Sequence, residues 1–303
     1  MIELLSLFAE NLLPIFMVAG FGFLMGKIFK MSPRSISHLT FYLFSPCLAF
    51  SLISKSEVGL VNIARMFGFG AACMVVVGLA AWLMGKAARL ERHTLAAVLI
   101  TTMFMNAGNY GMPVVGFAFG EAALAYAIPF YVTMSILANT VGVFIASLGK
   151  LNARQALLGI YKMPVIYAVV AALLFKGLGW SLPTSLDRGV TIMGDAAIPT
   201  MLIVLGLQFN VVKWDGQYKA LFLAAGTRLL IGPLAAILLA PVFALQGFAF
   251  QAGVLQSAMP SAVLTTVLAT EFDAEPSFVS YVVFASTLFS PLTVTPILYF
   301  LGA

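Results

Sequence analysis

The sequence is poor in charge, with 16 Lys and Arg and 11 Asp and Glu among 303 residues, 9% of the chain. A water-soluble domain carries about a quarter of its residues charged, so water is not the main solvent of this chain. Cysteine is scarce too: Cys47 and Cys73 both fall in apolar runs, where a small buried role is expected and a disulfide is not. The two histidines, His38 and His93, have no partners at metal-ligand spacing, so neither a metal nor another cofactor is expected. The net charge is +5, but no domain outside the apolar runs is long enough to offer nucleic acid a groove, which excludes it as a partner. Near the start stand Glu3 and Glu10 and no Lys or Arg, so the first apolar run is expected to be retained rather than cleaved as a secretory signal. The apolar runs also lack a pair of carboxylates and any Ser-His or Ser-Lys pair, which argues against an intramembrane enzyme.

What the chain has in excess is hydrophobicity, at 62%. Apolar runs of about 20 residues, enough to cross roughly 30 Å of hydrocarbon, recur from end to end. Between polar breaks they predict ten spans, at 11–29, 38–54, 65–85, 94–119, 122–148, 157–178, 185–209, 218–245, 249–270 and 277–301. Loops after odd-numbered spans hold eleven basic residues, among them Lys27, Lys30, Arg89, Arg154 and Lys219, against Lys55, Arg65, Lys176 and Arg188 after even-numbered ones. The positive-inside rule then places both termini outside the cell's inner (plasma) membrane. Prolines repeat across the halves. Pro14, Pro46 and Pro113 in spans 1, 2 and 4 are spaced by 32 and 67 residues, and Pro164, Pro199 and Pro260 in spans 6, 7 and 9 by 35 and 61. Two five-span units, 1–150 and 151–303, follow one another, and an odd number of spans makes the second enter from the opposite side. The expected fold is therefore an all-α integral membrane protein of ten transmembrane helices in two inverted five-helix repeats.

Span 4 carries Asn106-Ala107-Gly108-Asn109-Tyr110-Gly111-Met112-Pro113. The glycines cost a helix about 1 kcal/mol each and the proline about 3, so a break is expected here, and a wet cavity to satisfy the freed backbone groups. Span 9 holds Gln256-Ser257-Ala258-Met259-Pro260-Ser261 and is expected to break at its proline. Two half-helices would then begin at mid-membrane, and their converging N-termini favour a carboxylate or another small anion. Asn139 in span 5 is a further candidate contact. Asp195 and Arg228 lie inside apolar runs, where an unpaired charge costs about 3 kcal/mol or more. Two readings fit them: Arg228 as anion partner with Asp195 as proton-binding carboxylate, or a structural role in which the two pair or both reach toward the water interface.

Asn106, Gly108, Asn109, Gly111 and Pro113 together resemble the Asn-x-Gly-Asn-x-Gly-x-Pro signature of the auxin efflux carrier family, and Met259 to Ser261, Gly194 to Pro199 and Arg228 to Pro233 are similar to that family too. The resemblance spans all ten helices. It implies a fold like that of bile acid–sodium symporters, with spans 1, 2, 6 and 7 as scaffold and spans 3–5 and 8–10 as a mobile transport domain in which broken spans 4 and 9 cross. It also implies a homodimer in the lipid bilayer and a small organic anion as substrate, malate-like or malonate-like in bacterial members and auxin-like in plant ones. Substrate contacts are expected from Asn106, Gly108, Asn109, Tyr110, Gly111, Pro113, Asn139, Gln256, Ser257, Pro260 and Ser261. Sodium coupling in the related fold uses an acidic residue beside the crossing, where this chain has Gln256 and Ser257. That favours proton coupling or uniport, with a channel or a sodium-coupled symporter as the alternatives.

Overall fold

A computed structural model describes residues 2–147, 161–212 and 216–303. The described residues are helical apart from connections and one isolated antiparallel bridge. Six stretches are long and apolar enough to cross a membrane: α1 (Glu3–Phe29), α2 (Pro33–Lys55), α3 (Leu60–Ala87), α5 (Ala107–Ala146), α7 (Thr184–Gln208) and α8 (Tyr218–Leu239). Shorter helices are α4 (Arg92–Met103), α6 (Pro164–Gly177), α9 (Gly247–Ser257) and α10 (Leu264–Phe272). The chain closes with α11 (Pro276–Phe289) and α12 (Pro291–Leu301), a pair bent by 48° that makes a seventh crossing if taken as one span. Within α5 the path turns at Gly120, whose φ of +73° only glycine adopts without strain.

The apolar surface is inverted relative to a soluble protein. Phe222, Val242 and Leu292 are more than 70% exposed, while Arg228 is wholly buried. Such a surface suits hydrocarbon, and the chain is a multi-pass membrane protein.

Four of the prolines in these helices follow a widened turn. Five π-helical turns occur among the described residues, and four of them, Phe8–Leu12, Thr40–Phe44, Ala107–Gly111 and Thr227–Ile231, end two residues before a proline: Pro14, Pro46, Pro113 and Pro233. A proline ring crowds the carbonyl four residues back and offers it no N–H. Those carbonyls belong to Glu10, Tyr42, Asn109 and Leu229, the central residue of each π turn, and the wider turn moves them aside without breaking the helix. The fifth turn, Ala138–Gly142, has no such proline.

Packing joins the two halves of the chain. α1 lies along the second half of α7, α2 along α6, and α9 along α5. Between α1 and α7 the backbones touch, because a Cβ on Gly206 would fall 1.7 Å from the Ala19 carbonyl oxygen and one on Gly22 would fall 2.3 Å from that of Ile203. In hydrocarbon, helix association depends on such close approach. The polar ends are tied as well: Lys55 forms an ion pair with Asp187 at 2.8 Å, and Lys176 donates to the Ser56 and Val58 carbonyls. Gly206→Ala is expected to cost about 1–3 kcal/mol in thermal unfolding of the purified protein. Gly20→Ala, on the same face-to-face pair of helices but with open space around it, should stay within about 0.5 kcal/mol. Equal effects would refute the close-contact account.

Candidate functional site

The break in span 4 lies upstream of the glycine and proline residues. α4 ends at Met103, Phe104 is extended (φ −104°, ψ 107°), Asn106 is non-helical (φ −74°, ψ 62°), and Ala107–Gly111 already winds as a π turn. Pro113 sits in the first turn of the α-helix that follows and is not the breaker. In span 9 the interruption falls between Ser257 and Leu264 and contains Pro260 as expected.

The two breaks meet. Met105 and Ser261 form an antiparallel bridge. The Asn106 N–H donates to the Pro260 carbonyl at 2.7 Å, and the Ala262 N–H donates to the Phe104 carbonyl at 2.8 Å. The Ser261 N–H reaches Ser286 Oγ at 3.1 Å, and the Gly111 N–H closes onto the Asn106 carbonyl at 2.8 Å. Backbone groups freed by each break are thus satisfied largely by the other, where the sequence points to a wet cavity.

The C-terminal ends of α4 and α9 also converge, on one side chain. Arg228 Nη1 donates to the Thr102 carbonyl at 2.8 Å, and Nη2 donates to the Ser257 carbonyl. Arg228 is carried on the π turn Thr227–Ile231, and Gly232 leaves the space it needs, since a Cβ there would fall 1.8 Å from Nη2. The N-terminal ends, at Ala107 and Leu264, have no side-chain cap. The hydroxyls of Thr265 and Thr266 turn back onto the Ala262 and Val263 carbonyls.

Around the crossing several buried polar atoms make no hydrogen bond among the described residues: Asn106 Nδ2, both amide atoms of Gln256, Ser257 Oγ, Ser261 Oγ and Arg228 Nε. Gln256 is 0% and Asn106 4% exposed. The Gln256 amide lies on Gly111, where a Cβ would fall 2.1 Å from Oε1. Buried amides are normally paired, and each orphan costs about 1–3 kcal/mol, so such a group is a candidate ligand contact.

The other expected site residues are placed differently. Gly108 and Asn109 are half-buried on the π turn. Tyr110 is fully buried, its hydroxyl 2.9 Å from Ser290 Oγ and its ring edge-on to Phe16, so it ties α5 to α1 and to the α11–α12 bend. Asn139 donates to the Ser135 carbonyl at 2.9 Å and touches Met163 Sδ. Its π turn reaches the crossing through Gly142, which packs on Phe104. Asp195, at the end of the first half of α7, is exposed. Arg228 and Asp195 do not pair, because the guanidinium is held by two carbonyls and the one ion pair among the described residues is Lys55–Asp187.

Sequence reading missed Phe104, Met105, Thr102 and Ser286, which contribute backbone or a hydroxyl to the crossing. Ser286 and Ser290 stand four apart in an apolar run, a hydroxyl stripe that could have flagged α11; Phe104 and Met105 carry no local signal. A cavity of about 20 Å³ adjoins the first turn of α10, lined among others by Gln208, Val263, Thr266 and Ser280. Gln208 Oε1 is a further buried oxygen without a partner. Among the described residues no group of His, Cys, Asp and Glu is placed to hold a metal ion.

Comparison with known proteins gives the family. A family described as membrane transport protein matches in two stretches, residues 7–156 and 149–298. An uncharacterized transporter of Methanothermobacter thermautotrophicus is 26% identical over 93% of this chain and 94% of its own length. Another from Methanocaldococcus jannaschii is 25% identical over 92% of both chains. Auxin efflux carrier component 8 of Arabidopsis thaliana is 25% identical over 42% of this chain and 36% of its own length. The chain therefore belongs to the membrane transport protein family, in which the auxin efflux carriers fall, and is a transporter and not an enzyme.

Proposed function

We propose that the chain carries small organic anions, carboxylates of the malate or malonate kind, across the plasma membrane by alternating access. In this reading it crosses the membrane ten times as two inverted five-helix repeats, 1–150 and 151–303, with both termini outside. α1, α2, α6 and α7 form a scaffold and the dimer contact, and the remaining helices form the moving part.

The observation that carries the reading is the polarity of the crossing. Four half-helix ends meet there. The two C-terminal ends have their negative poles covered by Arg228, whereas the two N-terminal ends are uncapped and each is equivalent to about half a positive charge. Between the two pairs of ends lie the unpaired amides of Asn106 and Gln256 and the Ser261 hydroxyl, with Gly108, Asn109 and Gly111 on the adjoining turn. Uncapped N-termini and unpaired donors gathered at one crossing suit a carboxylate. For export of a monoanion the membrane potential supplies about 2.3 kcal/mol per 100 mV, so uniport in that direction is energetically adequate.

Mono- and dicarboxylates screened by thermal shift of the purified protein should include at least one that raises its melting temperature; a flat response across the panel would remove the anion reading. In proteoliposomes that carboxylate should show saturable uptake and counterflow, whereas a channel would show neither. Asn106→Ala and Gln256→Ala are expected to lower this uptake at least about tenfold, equivalent to about 1.4 kcal/mol of lost interaction, with melting temperature unchanged or raised, since each removes a buried orphan. Uptake at the wild-type rate in both variants would place the site elsewhere.

A further inference from the structure

We infer that Arg228 is a tethered cation holding the place to which the ends of α4 and α9 would otherwise draw a mobile one, so that sodium does not couple to movement through the crossing. Two helix C-termini that meet inside hydrocarbon concentrate about one negative charge, half from each. That charge attracts a cation, and an unpaired cation there would itself be costly. Arg228 resolves both problems, with one terminal nitrogen on the Thr102 carbonyl and the other on the Ser257 carbonyl, and its charge equals the sum of the two helix poles.

The surroundings are built for this placement. Arg228 is fully buried. The π turn Thr227–Ile231 and the missing side chain at Gly232 let the guanidinium lie against Ser257. The ionisable group facing it is Cys73 of α3, and it makes no ion pair with a carboxylate among the described residues. A guanidinium paired with a carboxylate would be neutralised by it; among the described residues this one meets two helix-end carbonyls instead, with Nε left unpaired. Because one side chain holds both ends, Arg228 is also a positioning residue that keeps α4 and α9 in register.

The inference concerns coupling and so rests on the transport reading, but its test needs no substrate. Melting temperature of the purified chain in lipid nanodiscs is compared in sodium chloride and choline chloride at equal ionic strength, with and without millimolar guanidinium. The wild-type protein is expected to melt at the same temperature in both salts. Arg228→Ala, which opens the place beside the two carbonyls, should melt lower and recover by about 5 °C or more with guanidinium or sodium but not choline. Wild-type protein stabilised by sodium over choline, or Arg228→Ala indifferent to both cations, would overturn the inference. Should Arg228→Ala not fold, Arg228→Lys and Arg228→Met decide: a folded Lys variant clearly more stable than the Met variant supports a charge role, and a Met variant at least as stable overturns it.

Discussion

Inside hydrocarbon a backbone amide or carbonyl without a partner costs several kcal/mol, and the architecture of this chain at its centre follows from that constraint. Phe104 to Asn106 leave the helix, and so do the residues around Pro260. Neither break is tolerable alone. Set antiparallel, each supplies what the other lacks: the Phe104 carbonyl takes the Ala262 N–H, and the Pro260 carbonyl takes that of Asn106. Pro260 suits its place because it has an acceptor to give and no donor to satisfy. The pairing joins residues more than 150 positions apart, so the two halves of the chain must assemble together for either to be stable at this depth.

This dependence explains what the sequence makes legible. Clusters of Asn, Gln, Gly, Ser and Pro in otherwise apolar runs mark spans 4 and 9 as irregular, and both are interrupted. The position of the first interruption is not legible, because Phe104 and Met105 have no turn chemistry and extend only because a partner segment lies alongside. Pro113, the strongest local signal, acts in another way. Its ring displaces the Asn109 carbonyl into a π turn, as Pro14, Pro46 and Pro233 do for theirs. A rule that equates membrane proline with a break therefore holds at Pro260 but puts the break in span 4 several residues too late.

Arg228 shows a different limit. Its cost in an apolar run is evident from sequence, and a search for side-chain partners leads to Asp195 or to a bound anion. The partners are instead the Thr102 and Ser257 carbonyls, which sequence does not distinguish from any others; they become acceptors only because two helices end there. Gly232, one helical turn beyond the arginine, is the one trace of this arrangement in the sequence, and it is intelligible only once Ser257 is seen beside it. Asp195 lies on the exposed face of α7 and makes no ion pair with Arg228.

Covering the helix ends unequally also gives the crossing a direction that symmetry alone would not. Four ends meeting without side chains would present two positive and two negative poles, and their fields would largely cancel at any point between them. A single guanidinium on the negative pair removes half of that set and leaves the uncapped N-termini of the segments beginning at Ala107 and Leu264 unopposed. Asn106 and Gln256, whose amide groups remain unpaired, sit at the boundary between the two. The preference for negative charge proposed for the crossing thus depends on a residue whose own hydrogen bonds go to the Thr102 and Ser257 carbonyls. Losing that preference would require no change in the backbone: removing the arginine's charge would leave the same crossing with balanced poles and no reason to favour an anion.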